Sequence, residues 1–121
     1  METITILSPN CVKFVPITTG HSAFGNRIHK RILGNTIEVY AQTVLTSSIA
    51  GGAKIAHLPE VKDFGVQLPS YGEILRYTSE ADQTPDIRKI KLATDGYLYN
   101  AGSFTLSAGQ LVIVRLTLIG R

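Results

Sequence analysis

The chain has 121 residues, 44% of them hydrophobic, and its 12 Lys and Arg against 9 Asp and Glu leave a net charge of +3. That length buries one core without covalent staples, so a single domain spanning residues 1–121 is expected, and so mild a charge does not mark a nucleic-acid binder. The one cysteine, Cys11, has no partner within the chain, which excludes an internal disulfide framework and reads as a buried, inert thiol.

No apolar run is long enough to cross a bilayer, and the start METITILSPN lacks the basic and apolar regions of a signal peptide, so a soluble chain without membrane insertion is expected. His21, His29 and His57 lie far apart with no Cys or paired carboxylate at ligand spacing. Neither a metal nor a cofactor is expected from them. Two basic clusters, Arg27, Lys30 and Arg31 around His29, and Arg88, Lys89 and Lys91, read as solvated strand edges rather than as a phosphate-binding face.

In chain order, Glu2 to Leu7 alternates and stops at Ser8-Pro9-Asn10. Val12 to Ile17 is a short strand with Val12, Phe14 and Pro16 on one face, and Pro16, having no N–H for a ladder, makes it an edge or ends it. TTGHSAFGN, residues 18–26, is a loop that Phe24 pins to the body. Arg27 to Leu33 and Thr36 to Thr46 form a hairpin through Gly34-Asn35, with Ile37, Val39, Ala41 and Thr43 facing the core and Glu38, Tyr40, Gln42 and Val44 facing away.

SSIAGG, residues 47–52, turns the chain into the strand Ala53 to Leu58, closed by Pro59. A short apolar element follows around Phe64, Val66 and Leu68, and then a strand from Tyr71 to Tyr77 sets Tyr71, Glu73, Leu75 and Tyr77 opposite Ile74 and Arg76. TSEADQTP, residues 78–85, is a surface loop. Ile87 to Thr94 and Tyr97 to Tyr99 pair across Asp95-Gly96, a two-residue type I′ signal. After Ser107-Ala108-Gly109 comes Leu111 to Ile119, apolar on both faces, a pattern that predicts cover on both sides from its own domain or from another subunit.

Roughly eight to ten short strands, turn signals at regular spacing and no helical window predict an antiparallel sandwich or small barrel. There is no Gly-rich phosphate loop, nucleophile elbow or activated nucleophile, and Asp82 and Asp86 sit in a Thr- and Ser-rich stretch that suits turn formers better than a catalytic pair. The chain is therefore not expected to be an enzyme.

LGNTIEVYAQTVLTSSIAGGAKIAHLPE, a proline-containing stretch, and DIRKIKLATDGYLYNAGSFTLSAGQLVIVRLTLIGR together resemble the C-terminal head domains of bacteriophage tail receptor-binding proteins and related baseplate or fibre tips. The likeness lies in the order of a tight turn, a Gly-rich bend, the I-x-x-LPE segment at Ile55 to Glu60, a strand ending in Asp95-Gly96, and a last apolar strand. It covers about three quarters of the chain. It implies an all-β fold, an antiparallel β-sandwich of jelly-roll type, assembled as a homotrimer on the virion at the phage tail tip beside other tail or baseplate proteins and binding host cell-wall saccharides. No coiled-coil or Gly-X-Y neck precedes the head, which points to an isolated head or a small accessory tip.

Saccharide recognition needs a ring face for sugar C–H groups and charged or planar groups for hydroxyls. The chain has no tryptophan, and the candidates cluster between residues 71 and 88: Tyr71, Arg76, Tyr77, Asp82, Asp86 and Arg88. The competing readings are a purely structural baseplate or fibre domain and an oligonucleotide-binding barrel that stacks bases on Tyr40, Tyr77, Tyr97 and Tyr99.

Overall fold

A computed structural model describes residues 13–79 and 81–120, so the expectations for Glu2 to Leu7, Cys11 and Val12 lie outside the described residues. Eight strands form one antiparallel sheet: β1 Val15–Pro16, β2 Ile28–Leu33, β3 Thr36–Val44, β4 Lys54–His57, β5 Ser70–Tyr77, β6 Asp86–Leu92, β7 Tyr97–Asn100 and β8 Leu111–Ile119. Their order across the sheet is β1-β2-β3-β8-β5-β6-β7-β4. The long-range pairs are nested: β5 with β6 inside β4 with β7 inside β3 with β8. That is a long hairpin rolled on itself, the jelly-roll arrangement.

The sheet curls until its two ends meet. His21 N–H, in the segment after β1, donates to Ile55 O of β4 at 2.6 Å, and His57 N–H donates to Thr19 Oγ1 at 3.1 Å. The two halves bury their inner faces in one core, to which Ile28, Ile37, Val39 and Ala41 contribute from β2 and β3, Val112 and Val114 from β8, and Ile74, Ile90, Leu92 and Leu98 from β5 to β7. Phe24 is buried in that core and pins the loop before β2, as expected.

Strand alternation follows the sequence closely. In β3 the set Ile37, Val39, Ala41 and Thr43 is buried and Tyr40, Gln42 and Val44 are exposed. β8 repeats the pattern, with Val112, Val114, Leu116 and Leu118 inside, but its other face departs from the expectation of cover from its own domain. Leu111 and Ile113 are only half-buried, and Ile119 is 68% exposed, so the described residues leave that side without full cover. Cross-strand register continues the exposed face as an apolar row, Ile113 to Leu75 to Ile87.

Two local readings are corrected. Ala93 N–H donates to Tyr97 O, Gly96 N–H donates to Ala93 O, and only Gly96 of the loop has positive φ, at 82°. The loop is thus three residues, Thr94 to Gly96, with glycine in the left-handed position of a bulge, rather than a two-residue type I′ turn in which both residues need positive φ. The apolar element before β5 is a single helical turn, α1, Val61–Phe64, ended by Gly65 at φ 64°. Four residues are too few to show a helical period. Gly34 has the only positive φ in the β2–β3 turn, at 60°, which matches the primed turn expected there.

Candidate functional site

The β5–β6 hairpin builds the most concentrated charged site. Strand parity puts Gly72, Ile74 and Arg76 on the inner face of β5, and register puts Arg76 opposite Asp86 and Ile74 opposite Arg88. Arg76 and Asp86 form an ion pair, and Arg88 Nη2 lies 3.6 Å from the same Asp86 Oδ2. Two guanidiniums therefore share one carboxylate, and a positive charge is left over. The Arg88 guanidinium also sits over the Phe104 ring, 3.7 Å from its centre, an arrangement that fixes its plane.

Nε of Arg76 and Nε of Arg88 are both buried without a hydrogen-bond partner. Donors left unpaired in this way carry a desolvation cost that an incoming anion or hydroxyl would relieve. Beside them opens a cleft of about 270 Å³ lined by Ile87, Arg88, Lys89, Ala101, Gly102 and Phe104. Gly102 has φ 99°, and a Cβ there would lie 3.3 Å from the Phe104 ring, so glycine is required where the ring comes to rest. Asn100 Nδ2 donates to Phe104 O at 3.1 Å and to Ala50 O at 3.2 Å, tying the loops on either side together.

Asp82 is committed to the loop. Its Oδ1 accepts from Thr84 N–H at 3.0 Å and Oγ1 at 3.1 Å, and its Oδ2 accepts from Thr78 N–H and Oγ1, both at 3.1 Å. The Thr84 N–H first, then the Thr78 N–H, pull its pKa from 3.8 to about 2. It is the turn former that its sequence context suggested, and its lone pairs are largely spent.

Of the six predicted residues, Arg76, Asp86 and Arg88 come together; the others do not join them. Tyr77 lies at the end of β5 opposite Leu111, on the face turned away from Arg76. Tyr71 shares that outer face, and six residues of strand separate the two tyrosines by roughly 20 Å, too far to stack on one sugar ring. Tyr71 is instead 55% exposed beside Lys91 and Tyr99, in a separate open groove of about 510 Å³. Sequence reasoning missed Lys91, whose place depends on cross-strand register, and Phe104, whose place depends on how the loop after β7 folds back.

No family model matches the chain, and no curated protein is similar to it in sequence. In fold it is similar to the head domains of phage receptor-binding proteins, the group that its sequence motifs resemble. The particular structure is the head domain of lactococcal phage bIL170, described among the receptor-binding domains of lactococcal phages: the TM-score is 0.56, with 12% identity over 91% of this chain and 99% of that one. At this identity the likeness is one of fold.

Proposed function

We propose that this chain is a receptor-binding head on a phage tail or baseplate, a non-catalytic module that attaches the virion to host cell-wall saccharides. The observation that carries this reading is the fold likeness, which spans 91% of this chain and 99% of the bIL170 head. The saccharide class is supported by the cluster of Arg76, Asp86 and Arg88 over Phe104, where forked donors, one carboxylate and an aromatic ring meet beside a cleft. Assembly as a homotrimer is supported by the uncovered outer face of β8 and the apolar row Ile113, Leu75 and Ile87. Residues 78–88, a polar loop leading into β6, would then stand near a subunit boundary, and several weak sites would engage one cell wall together.

The test is binding of the assembled protein to purified cell-wall polysaccharide, with Asp86→Ala and Arg88→Ala compared with wild type after circular dichroism and light scattering confirm fold and mass. Loss of binding in both variants supports the reading. Wild type that binds no bacterial glycan but captures another tail protein would replace it with the structural baseplate reading.

A further inference from the structure

We propose that the groove bounded by Tyr71, Lys91 and Tyr99, on the outer face of β5, β6 and β7, binds a pyranose carrying an acidic substituent. Tyr71 and Lys91 are cross-strand partners, and so are Lys91 and Tyr99, which sets the three side chains in one row across three strands. Strand spacing puts the two tyrosine attachment points about 10 Å apart with the ammonium between them, room for one sugar ring over the lysine. Gly52, Ala93, Ala101 and Gly102 also line the groove, and residues this small leave the space open to a ligand of about 510 Å³ or less.

The groove is held in shape before any ligand arrives. Tyr99 Oη donates to Asp95 Oδ2 at 2.5 Å, and Asp95 Oδ1 accepts from Tyr97 N–H at 2.9 Å, which fixes the ring of Tyr99 against its hairpin. A Cβ on Gly51 would lie 2.7 Å from the backbone of Ser103, so the loops around Gly52 and Gly102 are in direct contact.

Charge decides the class of sugar. Among the described residues, Lys91 forms no ion pair, while Asp95, the carboxylate that holds Tyr99, is taken up by Tyr97 and Tyr99. A ring lying between two tyrosine faces over an unpaired ammonium matches a sugar whose C–H surface stacks and whose carboxylate or phosphate meets the charge. Tyr71 and Arg76 sit on opposite faces of β5, so the groove's aromatic and ammonium groups are not those of the arginine cluster, although the two openings adjoin at Ala101 and Gly102. The choice of a sugar rests on the saccharide-binding reading above; the site and its charge do not.

The experiment is an NMR titration of the labelled full chain with glucuronic acid, glucose 6-phosphate and glucose, following the amides of Gly52, Ala93 and Tyr99, which line this groove and not the Arg88 cleft. The expected result is saturable shifts with at least one acid, at an affinity about tenfold or more above that for glucose. Glucuronic acid alone assigns a carboxylate and glucose 6-phosphate alone a phosphate. Lys91→Met should bring the acid down to the level of glucose, and Tyr71→Ala should weaken every sugar. Tyr71 is exposed and Lys91 is half-buried on the outer face, away from the core, so the variants keep the fold, checked by circular dichroism. No saturable shift with either acid, or shifts indifferent to Lys91→Met, overturns the proposal. So does an oligothymidylate that moves these amides with a steep salt dependence when neither acid does. If the acids bind in the groove but cell-wall polysaccharide does not bind the protein, the groove stands and the receptor reading falls. If polysaccharide binds and Lys91→Met changes neither it nor the acids, the reverse holds.

Discussion

Arg88 places its guanidinium 3.7 Å from the centre of the Phe104 ring, bringing together β6 and a loop sixteen residues further along the chain. An arginine held flat on an aromatic ring presents its remaining N–H groups in a fixed plane, so a ligand need not spend its own binding energy ordering the side chain. Phe104→Ala should therefore weaken polysaccharide binding even though the arginine is kept. Isothermal calorimetry would register a loss of roughly threefold or more, from a contact worth on the order of 1 kcal/mol. Unchanged affinity would mean that the stack only packs the loop.

Asp82 gives the loop a defined acid limit. Its pKa is depressed to about 2 from 3.8, so its contribution is fully present above about pH 4 and is lost as the pH falls through about 2. In an NMR pH titration its carboxyl should titrate near 2, and the Thr78 and Thr84 amides should lose protection together on the same acid limb. Titration near 3.8 would show that the four hydrogen bonds do not persist in solution. Asp82→Ala should loosen the loop at neutral pH while leaving the melting of the sheet almost unchanged.

At Gly72 the backbone of β5 lies tight against β8. A Cβ there would fall 2.5 Å from Arg115 O and 2.9 Å from side-chain atoms of Ile90 and Leu116. Gly72→Ala should destabilise the fold by about 1–3 kcal/mol through overpacking, the opposite of the usual benefit of replacing strand glycine. Ile74→Ala, two residues on and wholly buried, should cost about 2–5 kcal/mol through the cavity it leaves. Urea titrations of the two variants should show both midpoints moving down; a Gly72→Ala protein as stable as wild type would mean that β8 shifts freely.

The outer face of β8 makes the assembly testable. Light scattering should give the mass of a trimer for wild type, and Ile113→Glu with Ile87→Glu should give a monomer of unchanged circular dichroism, because an uncompensated charge in an apolar contact is costly. Wild type running as a monomer at micromolar concentration would end the trimer proposal.

Much of this architecture is legible in the residues. The alternation of Ile37 to Thr43 and of Val112 to Leu118 names the buried faces outright, and Pro16 marks an edge strand, which β1 is. What is not legible is which strand lies beside which. Tyr71 and Arg76 look like neighbours in sequence, yet parity sends them to opposite faces, and only the pairing of β6 with β7 brings Tyr99 to Lys91. Local rules also fail where one residue decides. Asp95-Gly96 reads as a two-residue turn because the pairing of Ala93 with Tyr97, which lengthens the loop, leaves no mark on composition.

The nesting of the strands has a consequence for how the chain is made. β8 leaves the ribosome after the other seven strands of this sheet, yet it lies in the middle of the sheet, between β3 and β5. Until it arrives, β3 and β5 each present an unsatisfied edge, and the two halves lack the β3–β8–β5 ladder that joins them on that side. The sheet thus closes by the insertion of a keystone: a growing chain waits as two open halves, prone to pair with its neighbours, and becomes a closed head only when residues 111–119 slide between them.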